Sequence, residues 1–228
     1  RRGGNIIVPS FALERTQEVL WYLNDLIGMK RIPRLLVFVD SPMAVRVTDV
    51  FEKHPEILDE QMRALMANHA SPFRFSGLKL VRTVQQSKAI NLISGTVMII
   101  AGAGMCNGGR IKHHLETNIS RPESTVLFVG YQALGTLGRQ ILDGRPEVRL
   151  YGKMMPVRAK IESIPGFSAH ADRDELTRWL SGMQKPPRRV FVTHGEPEAS
   201  AAFAKHIGDH FGWQATVPAY QETILLED

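Results

Sequence analysis

A single cysteine, Cys106, stands in a chain of 228 residues. That scarcity excludes an intrachain disulfide framework and any cysteine-based zinc cluster. Long apolar runs are missing too. The longest, Thr96 to Cys106 with its glycines, falls far short of the ~20 residues a membrane-spanning helix needs. No secretory signal is visible, because Arg1-Arg2-Gly3-Gly4 leads into a short apolar run with turn residues behind it. Neither a Gly-x-Gly-x-x-Gly after the first apolar run nor a Gly-x-x-x-x-Gly-Lys-[Ser/Thr] occurs, which argues against a nucleotide-binding Rossmann-like module. There is no initiator Met, no internal repeat and no low-complexity tract. The sequence reads as a piece of something longer, expected to be soluble and cytoplasmic.

What is present has a globular balance, 43% hydrophobic and 22% charged. A chain of this length buries roughly 70% of its unfolded surface, enough for one or two domains. Lys and Arg number 28 against 23 Asp and Glu, a formal charge of +5. The excess is uneven: up to Gly152 there are 19 basic and 13 acidic residues, and beyond it 9 and 10. No Asp or Glu occurs between Glu60 and Glu116, a window holding Arg63, Arg74, Lys79, Arg82, Lys88, Arg110 and Lys112. A face that binds a polyanion needs such a field, because each phosphate contact releases counterions. An ordinary solvated basic surface would look the same in sequence.

Short apolar runs alternate with helical patterns. Asn5 to Pro9 and Leu35 to Val39 read as buried strands. Thr16 to Ile27 carries the i, i+3, i+4, i+7 spacing of a helix, and Pro42 suits the first turn of another. Leu78 to Val81, Val97 to Ala101 and Val126 to Val129 are further strands. The alternation predicts an α/β fold with a mainly parallel sheet and helices on both faces. After Gly152 the pattern changes. Met155 to Ile164 is expected to pair as strands, and Asp172 to Met183 to form a helix capped by Asp172 and Glu175. Leu176, Trp179, Leu180 and Met183 share its apolar face. Arg189 to Val192 is a strand, Ala199 to Phe211 a helix, and Ile224 to Leu226 a possible last strand. The division between two segments is placed at 155/156.

Two histidines sit where chemistry collects. His170 precedes a capped helix, and His194 follows a buried strand. Strand ends of α/β sheets gather ligands, and histidines there can bind metal or move protons near neutral pH. Either one alone is more often a hydrogen-bonded structural residue.

Five ordered segments carry a resemblance. Gly4 to Glu18 and Val39-Asp40-Ser41-Pro42-Met43-Ala44 resemble the opening of the β-CASP domain of metallo-β-lactamase-fold nucleases. Ala101-Gly102-Ala103-Gly104-Met105 with Gly108 to Leu115 resembles the Gly-Met loop of that family and its following helix. Phe167-Ser168-Ala169-His170-Ala171-Asp172 resembles its motif B, and Val192-Thr193-His194-Gly195-Glu196 its motif C. The relatives implied are bacterial and archaeal RNA-processing exonucleases related to the eukaryotic pre-mRNA 3′-end endonuclease. The fold implied is a Rossmann-like β-CASP domain over 1–155, then a metallo-β-lactamase return segment over 156–228.

The resemblance implies an RNA hydrolase whose complete form holds two zinc ions. It assigns His194 as a zinc ligand and His170 as proton donor to the leaving oxygen, or as stabiliser of its charge. The His-x-His-x-Asp-His cluster that the family uses occurs nowhere in this sequence, and the adjacent pair His113-His114 has the wrong spacing. The zinc site is therefore expected to be incomplete and the chain alone inactive, with an N-terminal lactamase half as the missing partner. A non-catalytic RNA-binding homologue remains the alternative. For RNA itself, Ser10 and Arg15 flank a strand-to-helix turn that can hold phosphate, Arg15 being equally suited to an ion pair on its own helix. Asp40 and Ser41 end the next strand. Gly104, Met105, Gly109 and Arg110 form a loop whose glycines allow close backbone approach, and Ser168 can donate to a phosphate. Met105 and Phe11 would serve equally well as core residues. A homodimer is a further expectation from the resemblance.

Overall fold

In a computed structural model, residues 3–67, 71–167 and 170–226 are described. They fall into two compact units, 3–67 with 71–167 and then 170–226.

The first unit follows the predicted alternation. Strand β1 (Ile6–Pro9) leads to helix α1 (Arg15–Gly28), β2 (Leu36–Val39) to α2 (Pro42–Lys53), and a 3₁₀ turn at Pro55–Ile57 to α3 (Glu60–Ala67). Then come β3 (Leu78–Leu80), α4 (Val84–Ile90), β4 (Val97–Ala101), α5 (Ile111–Asn118), β5 (Thr125–Phe128) and α6 (Leu137–Leu142). A hairpin of β6 (Glu147–Leu150) and β7 (Lys153–Pro156) precedes β8 (Lys160–Ser163). Its two central residues, Tyr151 and Gly152, both have positive φ, as a tight type I′ turn requires.

The main sheet has six parallel strands in the order β3-β2-β4-β1-β5-β8. Alternate residues of the central strands feed two cores. Ile7 and Ile99 pack with Ile111 and Leu115 of α5 on one face. Val8 and Ile100 pack with Val19, Leu20 and Leu23 of α1 on the other. All five residues of β4 are buried, which is why it reads as a continuous apolar run rather than an alternation. Strands β1 and β4 are neighbours, yet the chain leaves β1 toward β2 and leaves β4 toward β5, on opposite sides. That reversal is a topological switch point, the place where open α/β sheets leave a crevice.

Strand β8 pairs with β5 from Thr125↔Lys160 to Phe128↔Ser163, so the compact unit runs past residue 155 to include it. The cause is the free edge of β5, whose ladder groups need partners.

In the second unit, α7 (Arg173–Ser181) has the expected capping box between Asp172 and Glu175. Strand β9 (Val190–Phe191) is followed by α8 (Pro197–Phe211) and β10 (Ala215–Thr216), which pairs with β9. Leu176, Trp179 and Leu180 of α7 line one cavity, as a shared face requires, although Trp179 stays 69% exposed. One expectation fails here: the last strand is β10, because 224–226 carries no regular structure and Leu225 is exposed.

Candidate nucleic-acid interface

The crevice at the switch point is a cavity of about 380 Å³. Its walls come from the segments after three strands: Ser10 after β1, Asp40 and Ser41 after β2, and Gly104, Gly109 and Arg110 after β4. These six sequence candidates meet because the sheet continues one residue into the loops. Ser10 N donates to Ala101 O at 3.0 Å and Asp40 N to Ile100 O at 2.8 Å. Phe11 and Met43 form an apolar rim, 41% and 68% exposed, so core packing does not account for Phe11.

Ser10 is buried, and its Oγ lies 3.1 Å from Thr16 Oγ1. Ser41 caps α2, its Oγ accepting from Ala44 N at 3.2 Å. Asp40 is fully buried. Its Oδ1 accepts from Arg110 Nη1 at 2.6 Å, and its Oδ2 from Ser87 Oγ at 2.5 Å and His114 Nε2 at 2.7 Å. Burial alone would raise the carboxyl, but the bonds from His114, Ser87 and Arg110 together outweigh it and hold the group below the ordinary 3.8. Asp40 is thus an ion with no solvent access, which rules it out as a direct phosphate contact. It anchors Arg110, whose Nη2 also donates to Arg82 O at 3.3 Å.

The loop between β4 and α5 depends on glycine twice. Gly109 has φ +73, and a Cβ there would lie 2.3 Å from Gly102 O. At Gly104 a Cβ would lie 2.7 Å from the Phe11 ring. Gln132 braces the same loop, donating to Gly104 O at 3.0 Å, and Gly138 N donates to Met105 O at 3.0 Å. Cys106 lies within this loop, fully buried, and burial pushes its thiol up to about 12. A thiol that is neither ionised nor accessible is inert. Iodoacetamide is therefore expected to leave Cys106 unmodified in the folded protein and to alkylate it after denaturation; rapid native labelling would show that the loop opens.

The other candidates sit elsewhere. Arg15 pairs with Glu18 and lies over the Phe167 ring at 5.5 Å; it does not line the cavity, and the ion pair on its own helix is what the geometry displays. Met105 is half-buried and also outside the lining. Ser168 lies outside the described residues. The carboxylate-free window is not carboxylate-free in space. Arg74 pairs with Glu52 and Asp49, Arg82 with Asp49, and Arg110 with Asp40. Acidic residues from earlier in the chain fold back onto the basic stretch. Sequence reasoning missed Ser87, His114 and Gln132, all buried polar side chains. The one available signal was a polar residue at a core position of its helix: His114 and Leu115 are buried side by side on α5.

In the second unit, His194 lines an apolar cavity of about 420 Å³ with Trp179, Phe191 and Phe203 among its walls. Its φ is +66, a left-handed backbone that non-glycine residues seldom adopt outside special sites. His170 is exposed and does not line this cavity. Among the described residues, no three His, Cys, Asp or Glu converge as a metal site. His194 alone does not fit a resident zinc ion, which needs at least three protein ligands.

Comparison with known proteins agrees with this picture. Residues 16–141 match the family described as Beta-Casp domain, and residues 154–218 match the Zn-dependent metallo-hydrolase RNA specificity domain. Ribonuclease TTHA0252 of Thermus thermophilus is 41% identical over 204 residues, 90% of this chain and 46% of the relative. Transcription termination factor FttA of Methanosarcina mazei is 34% identical over 231 residues, 99% of this chain and 36% of the relative. The RNase J-like protein of Methanocaldococcus jannaschii is 29% identical over 205 residues, 90% and 46% respectively. The chain therefore spans about half, or less, of the length of these relatives. The six-stranded parallel sheet, the glycine-dependent loop beside its crevice and a family match over more than half the residues lead to one conclusion: the chain belongs to the Beta-Casp domain family.

Proposed function

We propose that this chain is the RNA-holding part of a metal-dependent RNA hydrolase, and that its switch-point cavity grips the phosphate backbone. One observation carries the reading: six residues from the segments that follow three parallel strands line one cavity, with the Arg110 guanidinium fixed at its wall. Backbone N–H groups beside glycine, serine hydroxyls and an oriented arginine are the usual chemistry of phosphate capture. The exposed Phe11 ring at the rim offers a face on which an unpaired base can stack. In this reading Ser10, Ser41, Gly104, Gly109 and Arg110 are the contacts and Asp40 the anchor. Arg15 would contribute charge only at longer range, and Met105 no direct contact from outside the cavity lining.

Hydrolysis belongs to a centre completed by residues beyond this chain, in an N-terminal lactamase half. His194 would face the metal there and His170 would stand by the leaving oxygen. The names of the relatives, a ribonuclease, an RNase J-like protein and a termination factor acting in transcription, support RNA as the polymer. Titration of a fluorescent single-stranded RNA at increasing salt tests the clamp. Affinity should fall steeply with salt, and Arg110→Ala should reduce the slope of log K against log salt by about 1. Arg15→Ala should change it less. A slope near zero, or one that Arg110→Ala leaves unchanged, overturns the reading.

A further inference from the structure

We infer that Ser87 and His114 are positioning residues which act through Asp40 to set the pose of Arg110 in the cavity; this rests on the RNA-clamp reading above. The two oxygens of Asp40 have separate tasks. Oδ1 meets Arg110 at 2.6 Å, while Oδ2 receives Ser87 from α4 at 2.5 Å and His114 from α5 at 2.7 Å. Bonds from α4, from α5 and from Arg110, the residue that precedes α5, fix both the position and the rotation of the carboxylate. Its cavity-facing oxygen then has one direction to offer the guanidinium. The second anchor, Arg82 O, holds the other arm. Arg110 keeps 19% of its side chain exposed and has further N–H donors free for an incoming oxyanion.

Stability alone does not account for this arrangement. Asp40 is 0% and His114 1% exposed, and removing an ion from water is costly even when it is paired. His114 Nδ1 is buried and makes no hydrogen bond to the protein, a further cost to stability. Apolar side chains of similar volume often serve a core as well or better. What polar groups supply here, and apolar ones would not, is an oriented charge at the cavity wall.

The experiment titrates single-stranded RNA onto the chain, over a salt series, with Ser87→Ala, His114→Gln, Arg110→Ala and the two doubles with Arg110→Ala. Thermal melts confirm that each variant is folded; Ser87→Ala removes only a hydroxyl, so it serves even if His114→Gln melts early. Positioning predicts that Ser87→Ala weakens binding by about threefold to tenfold and lowers the salt slope toward that of Arg110→Ala. It also predicts no further loss in the doubles, because residues acting through one group are not additive. Losses that add in the doubles overturn the inference, as does unchanged binding by Ser87→Ala when Arg110→Ala is impaired. If Arg110→Ala itself binds normally, the clamp reading fails and the inference with it.

Discussion

Replacing Gly109 by alanine is expected to destabilise the first unit by about 2–4 kcal/mol, combining left-handed strain with overpacking. Two independent penalties act at this residue. Its φ of +73 is one that a Cβ disfavours, and the added carbon would sit 2.3 Å from Gly102 O and 2.8 Å from Gly102 C. Those are backbone atoms, so no rotamer change relieves the contact. Nor can the loop shift cheaply, since Ala103 N donates to Gly108 O at 3.1 Å and Ile111 N to Gly102 O at 3.0 Å. Gly135 provides the control: its φ is +81 but nothing lies within 4 Å of its missing Cβ. Gly135→Ala should incur the conformational strain alone, about 1–2 kcal/mol. Urea midpoints for the two variants measure the difference, and equal values would show that the close approach at Gly109 is not restrictive.

Asp40→Ala should cost more, about 3–5 kcal/mol, the range seen when one partner of a buried charged pair is removed. His114 would lose its only hydrogen bond from the ring and Ser87 its acceptor, both in the core. The acid limb of the stability curve carries the same information. Burial opposes ionisation of Asp40, yet the bonds from His114, Ser87 and Arg110 prevail and lower the folded carboxyl below its unfolded value of 3.8. A group depressed on folding contributes stability that is fully present above the unfolded value and is lost as pH falls through the folded one. Wild-type stability should therefore decline below about pH 3.8, and the Asp40→Asn variant, with nothing to protonate there, should be less stable at neutral pH but decline less steeply in acid. Parallel acid limbs in denaturant melts from pH 7 to 2 would show that Asp40 is not a determinant of acid sensitivity.

Much of the fold was legible because parallel strands are short, apolar and punctuated. Leu36–Val39 ends at Asp40-Ser41-Pro42, and both the strand end and the helix start are written in those residues. The capping box at Asp172 and Glu175 was equally plain. The hairpin of β6 and β7 was harder, since Tyr151-Gly152 is not one of the commonest turn pairs. Helix α3 has no buried residue and so no stripe to read. For the site, the ends of β1 and β2 pointed to Ser10, Asp40 and Ser41, and the glycine loop after β4 pointed to Arg110, because position along the chain determines which residues reach the crevice. It could not tell a contact from a support. That distinction depends on who lies behind Asp40, and His114 is 74 residues away in sequence. The same limit applies to charge: Asp49 and Glu52 neutralise arginines that no linear window joins to them.

The order β3-β2-β4-β1-β5-β8 also bears on how such a chain is made. The first strand of this sheet in sequence is an inner one, and its neighbours are Met98 to Ala101 on one side and Thr125 to Val126 on the other. During translation at roughly 5–20 residues per second, Ile6 to Pro9 must wait several seconds with both edges bare before either neighbour emerges from the ribosome. A nascent chain in that interval presents an unclaimed apolar ribbon, open to pairing with any other exposed strand until its own neighbours are made.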